Sequence, residues 1–388
     1  MNEAELRNRL LADALPGEME AGQRSWDVIR AAYATRERVP WIERHSRAVL
    51  ALAVIAVLAV AAVTPPGRAL VESVREQVVG ETPSEPALFR LPTAGRLLVE
   101  SAQGAWVARQ DGSKRRLGAY EAASWSPRGL FVVATRRHQL VALEPDGDVR
   151  WTVTRPGRVT DARWAPSGFR IAYREDDSLR VVVGNGEDDH LLVRAVAPVA
   201  PAWRPGAATN VIAYAEPNGS VHVVDVDSQQ ELWSTPRGPT VTHLVWSGDG
   251  RRLLALSLGE RQQLFHSQGR ARGTIDLPAG HVVVNAAFAP AGDTLAYIDF
   301  DLERERSTLV LVHDQARRTL FTAPSRLEDV VWSPNGRWLL VTWPAADQWV
   351  FVRAPAVRGL VTVSHITREF DPGGTGPRPF PRVAGWIE

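Results

Sequence analysis

Four polar residues recur at one offset in this 388-residue chain. Asp161, His243, Asn285 and Asp329 each stand three positions before an aromatic residue: Trp164, Trp246, Phe288 and Trp332. Ala122 and Ala200 occupy the same column ahead of Trp125 and Trp203. Two carboxylates, an imidazole and an amide brought to one place could hold a cationic or hydroxyl-rich ligand group, and they could equally supply an acid, a base and ligands to an enzyme. The same residue types also satisfy backbone N–H groups inside their own structural unit. Which of these roles applies depends on the elements that carry them.

Those elements are repeats. The aromatics fall at Trp125, Trp164, Trp203, Trp246, Phe288 and Trp332, so the spacings are 39, 39, 43, 42 and 44 residues. A period of roughly 40 to 45 residues with four short strands per unit is the signature of a β-propeller. In each unit strand A ends at the aromatic. A Pro-x-Gly turn follows in "WSPRG", "WAPSG" and "WSPNG", where proline presets the backbone and glycine takes the left-handed conformation. Strands B and C ("FRIAY", "LRVVV") are nearly continuously apolar, which predicts cover on both faces. The aromatic is then expected to fill the wedge between neighbouring blades. "WSGDG" after Val245 lacks the proline, and "RPGAAT" after Trp203 is one residue longer, without breaking the period.

Six aromatic-led repeats are visible, and "RLLVES", "AWVARQ" and "KRRLG" ahead of them supply only strands B, C and D of another. The chain ends "PRVAGWIE", with Trp386 in the style of a repeat aromatic. Arg382 to Trp386 is therefore expected to be strand A of the first blade, giving an all-β, seven-bladed propeller closed by its C-terminal strand and free of open edges.

These turns and the I-A-Y-type strands resemble the TolB-type, WD-repeat-like propeller family over Arg96 to Glu388. The resemblance implies a fold rather than an activity. Such families include protein-binding modules and the propeller halves of some peptidases.

Upstream, no residue from Ala48 to Gly67 is charged, and "AVLALAVIAVLAVAAV" is long enough to span a bilayer as a helix. Arg36, Arg38, Arg44 and Arg47 precede it, against Arg68 and Arg75 after it. This asymmetry predicts a cytoplasmic N-terminus and an extracytoplasmic propeller, anchored in the plasma membrane by a single pass. The 47 residues before the run are too many for a cleaved signal peptide. The expected organisation is a cytoplasmic helical segment at 1–46, a signal-anchor helix at 47–66, an amphipathic helix and linker at 67–94, and the propeller at 95–388. In the first segment Leu6, Leu10 and Leu11 form one apolar face, and Trp26, Ile29 and Tyr33 form another. So short a segment rarely folds alone, which leaves it lying on the membrane or waiting for a cytoplasmic partner. The layout is similar to that of membrane-bound anti-sigma factors.

Composition narrows the function. The net charge of +1 gives no general attraction to nucleic acid, and the lack of cysteine excludes disulfides, thiolate metal sites and a thiol nucleophile. There is no H-E-x-x-H, G-x-S-x-G, P-loop or dinucleotide-binding glycine motif. Asp299, Asp301 and Glu303 alternate in "YIDFDLERERST" without the glycine-bearing loop of a calcium motif, and read as a solvated hairpin tip. The expectation is a non-catalytic binding, sensing or scaffold module for a protein, peptide or envelope ligand. It needs no cofactor, and its ligand-binding residues, expected at the mouth of the central channel, are Asp161, His243, Asn285 and Asp329. The alternative is a propeller hydrolase or lyase using the same polar ring.

Overall fold

The aromatic-led repeats are four-stranded antiparallel sheets. A computed structural model describes residues 90–314, 316–354, 359–372 and 378–388. They belong to a compact unit spanning Gly80–Glu388. The expectations for the cytoplasmic segment, the apolar run and the amphipathic stretch fall on residues outside those described. Among the described residues no helix is long and apolar enough to cross a membrane.

Blade 1 runs β28-β1-β2-β3, joining Arg382–Ile387 to Arg96–Ser101, Gly104–Arg109 and Lys114–Gly118. Blade 2 is β4 to β7 (Ala122–Trp125, Val132–Arg136, Gln139–Leu143, Val149–Thr154). Blade 3 is β8 to β11 (Val159–Trp164, Arg170–Glu175, Ser178–Val183, His190–Val193). Blade 4 is β12 to β15 (Ala202–Trp203, Val211–Ala215, Val221–Asp225, Gln230–Ser234). Blade 5 is β16 to β19 (Val241–Trp246, Arg252–Ser257, Arg261–His266, Ala271–Asp276). Blade 6 is β20 to β23 (His281–Phe288, Leu295–Asp301, Arg306–His313, Ala316–Ala323). Blade 7 is β24 to β27 (Val330–Trp332, Trp338–Trp343, Gln348–Arg353, Leu360–Ser364). The ring is a seven-bladed propeller with almost no helix. A five-residue helix, α1 (Ile366–Phe370), follows blade 7.

The C-terminal strand closes the circle. Leu97 pairs with Trp386 and Glu100 with Arg382 across β1 and β28. The inner strands β28, β4, β8, β12, β16, β20 and β24 touch one another in ring order and surround the axis.

The repeated turn has a mechanical explanation. In "SWSPRG" the Ser126 hydroxyl accepts the Phe131 N–H at 2.9 Å, and Gly129 N–H donates to Ser126 O at 2.9 Å. Ser247 and Ser333 repeat the hydroxyl bond to Arg252 and Trp338. The turn glycines Gly129, Gly168, Gly206, Gly250, Gly292 and Gly336 all have φ between +63° and +80°, where a Cβ would be strained.

Among the described residues seven buried apolar clusters form, one at each interface between neighbouring blades. Each repeat aromatic packs against the preceding blade. Trp332, for example, lies with Ala296, Ile298 and Leu309 of blade 6. Three indoles add a hydrogen bond. Trp203, Trp246 and Trp332 donate Nε1–H to the carbonyls of Arg163, Ala202 and Ala287, the residue just before the aromatic in the previous blade. The indole nitrogens of Trp125, Trp164 and Trp386 are buried without a partner.

Lys114, the chain's one lysine, anchors α1 to blade 1. Its ammonium pairs with Glu369, donates to Glu369 O at 3.0 Å and lies 5.3 Å from the Phe370 ring.

Candidate functional site

The four residues of the aligned column meet different fates, because the inner strands do not bulge at the same place. In β8 the register shifts between Thr160 and Arg163, so Asp161 sits in the bulge with φ +55°. Its Oδ2 accepts from Arg174 Nη1 at 2.9 Å, a pair internal to blade 3. In β20 the shift falls between Val283 and Asn285, and Asn285 Oδ1 accepts the N–H of its own neighbour Ala286. Asp161 and Asn285 thus have partners within their own blades.

His243 and Asp329 share a second environment with three residues outside the column. Asp329 is 4% exposed. Its Oδ1 lies 3.3 Å from Arg382 Nη2, its Oδ2 accepts Val383 N–H at 3.2 Å, and its own N–H donates to Thr342 Oγ1 at 2.8 Å. Burial pushes its carboxyl above the usual range, against the pull of Arg382. Glu100, on β1, accepts Ala123 N–H at 2.8 Å and is likewise raised by burial, with Arg163 and Arg382 opposing. His243 is half-buried, and its Nδ1 has no partner. Burial, then the nearby Arg382, hold the imidazole below its ordinary value, so it is neutral at neutral pH. These five side chains come from blades 1, 3, 5 and 7 and act on one another across the axis.

Both carboxylates of the column have a basic partner. Asp161 is neutralised by Arg174 and Asp329 by Arg382. Both Glu100 and Asp329 bind an inner-strand N–H of the next blade, which is a structural task. Arg163 differs. Its Nη1 donates to Ala162 O at 2.9 Å, and among the described residues no carboxylate lies within ion-pair distance of it.

A cavity of about 350 Å3 runs along the inner strands of blades 3, 4 and 5. Arg163, His243 and Thr242 supply its polar lining, and Val199, Pro201 and Trp203 contribute apolar walls. A larger apolar cleft of about 750 Å3 lies between blades 2 and 3, bordered by Phe131, Trp151, Trp164 and the exposed Leu130 and Phe169. Its charged lining residues, Arg128 and Arg150, both come from blade 2.

Among the described residues no group of three or more His, Cys, Asp or Glu is arranged to hold a metal ion. In the blade 6 hairpin Asp301 accepts the N–H groups of Glu303 and Arg304 at 3.0 Å and pairs with the Arg304 side chain at 2.9 Å. That pairing, with the two backbone donors, lowers its carboxyl to about 2. Arg304 thus serves Asp301, which at 8% exposed is buried rather than part of a solvated tip.

No protein-family model matches this chain, and no curated protein matches it. Among solved structures, hydrazine synthase of Kuenenia stuttgartiensis matches at 13% identity with a TM-score of 0.47, covering 60% of this chain and 75% of that one.

Proposed function

We propose that this protein is a membrane-anchored, extracytoplasmic propeller that binds a protein, peptide or envelope ligand at its axial channel without catalysing a reaction on it. One observation supports the reading above others. The two carboxylates of the channel, half-buried Glu100 and buried Asp329, are committed to hydrogen bonds between blades, while the Nε–Nη2 edge of Arg163 and the His243 Nδ1 have no hydrogen-bond partner among the described residues. Such an arrangement suits recognition better than proton transfer, which needs an acid and a base free to meet substrate.

The anchor rests on the uncharged run from Ala48 to Gly67 and the arginines that precede it. The cytoplasmic segment 1–46, with its apolar faces, would relay occupancy to a partner, as the layout shared with membrane anti-sigma factors suggests. A TolB-type, WD-repeat-like ancestry fits the same reading, since the repeats specify architecture and leave the channel free to vary.

The test is protease added to intact cells, followed by capture of partners by the full chain and by a version lacking residues 1–46. The propeller should be digested while Met1 to Pro40 stays protected, and the truncated version should lose only cytoplasmic partners. A protected propeller would overturn the topology. Tight metal in the purified protein together with turnover of an envelope substrate would favour the hydrolase or lyase reading.

A further inference from the structure

We infer that the cavity along blades 3 to 5 takes a carboxylate carried on a small apolar group, with Arg163 as its main ligand and His243 as a second donor. This rests on the binding reading above and narrows it to a ligand class.

Three observations lead there. First, Arg163 lines the cavity with its Nε and Nη2 edge unpartnered among the described residues, because only Nη1 is used, on Ala162 O. One guanidinium edge presents two parallel N–H donors, which match the two oxygens of a carboxylate. Second, His243 lines the same cavity with a buried ring nitrogen that lacks a partner. An unmet buried polar group is costly, and a ligand oxygen meets it once the ring turns that nitrogen, bearing its proton, toward the cavity. Third, the remaining charges select among anions. Arg382 is occupied by Asp329, and Glu100 and Asp329 stand across the axis. A monoanion balances the Arg163 guanidinium, whereas a phosphate dianion would leave one negative charge without a partner in a partly apolar cavity. Val199, Pro201 and Trp203 then cover an apolar body. The volume suits one or two residues, at the lower end of ligand pockets.

The chemistry is shared by the C-terminus of a peptide and by a free small acid. The experiment titrates the purified full chain with N-acetyl-Ala-Val bearing a free C-terminus, its C-terminal amide, butyrate and inorganic phosphate. The signal is the fluorescence of the cavity tryptophans, including Trp203 and Trp246. The dipeptide acid should bind at least about tenfold more tightly than its amide. R163Q should lose roughly ten- to a hundredfold in affinity and R163K should fall between, as expected for a lost charge-assisted hydrogen bond. Tighter binding of the dipeptide than of butyrate identifies a peptide terminus as the source, and equal binding identifies a small acid. Equal affinity for acid and amide, an unchanged R163Q, or preference for phosphate overturns the assignment. The acid–amide comparison uses the unaltered protein, so it holds even if a variant fails to fold. A partner still captured at the channel alongside equal acid and amide binding would leave the binding reading standing and remove only the carboxylate.

Discussion

The Glu100 carboxylate on blade 1 accepts the backbone N–H of Ala123 on the inner strand of blade 2, at 2.8 Å. Asp329 of blade 7 does the same for Val383 of blade 1 at 3.2 Å. Side chains of two consecutive blades thus tie down the inner strands of their successors on both sides of the ring closure.

Replacing Glu100 separates its charge from its hydrogen bond. Burial holds the carboxyl above its ordinary 4.5, so the folded chain retains a proton there that the unfolded chain releases. Its contribution to stability is full below about pH 4.5 and is lost as pH rises through the raised folded value. E100Q keeps an acceptor for Ala123 and should therefore gain on the wild type as pH rises from about 4.5 to about 8 in thermal melts. E100A strands a buried N–H and should cost about 1–3 kcal/mol. A pH-independent gap for E100Q would show that the folded state does not disfavour the charge.

Indole hydrogen bonds give a second contrast. Trp332 donates to Ala287 O, while Trp164, buried to a similar degree, has no partner for its N–H. Phenylalanine at either site loses volume, but only W332F also loses a hydrogen bond. W332F should be the more destabilising by about 1 kcal/mol in denaturant unfolding. Equal losses would mean that the indole acts only as filler.

Ring closure depends on a strand that comes last in the chain. Trp386 is 8% exposed and meets the Phe351 ring of blade 7 edge-on at 5.7 Å. W386A should cost about 3–5 kcal/mol. Removing Arg382–Ile387 altogether would expose the β1 edge and sharply lower the melting temperature, with aggregation. A truncated chain that melts at the wild-type temperature would contradict a closed ring.

The propeller was legible because its signals are local and repeated. An aromatic, a turn proline and a left-handed glycine sit in fixed order, and Trp386 marked the missing strand. The site was less legible. Aligning residues by their distance from the aromatic assumes regular strands, yet the bulge in β8 takes in Asp161 itself, whereas those in β16 and β20 fall one residue ahead of the column. His243 and Asp329 met across the axis, and Asp161 did not join them. Glu100, Arg163 and Arg382 stood in other columns. The one available hint for Glu100 was a charge directly after the apolar run Leu97 to Val99, and its partner, a backbone N–H of the next blade, leaves no trace in the sequence.

Asp161 offers a test of that distinction. Its φ of +55° is a conformation that Asn tolerates and Ala resists. D161N keeps the backbone and an oxygen for Arg174 but loses the ion pair, and D161A should cost about 1–2 kcal/mol more than D161N, with ligand capture unchanged in both. Weaker capture by a folded D161N would return Asp161 to the binding site.

Occupancy of the channel is the claim on which the functional account depends. A photo-crosslinking amino acid at position 200, in the cavity between Arg163 and His243, probes it directly in intact cells, with position 302 on the exposed blade 6 hairpin as reference. The account predicts a discrete adduct from position 200 and none from position 302. Adducts from position 302 with none from position 200 would contradict it and place the binding surface on the outer loops.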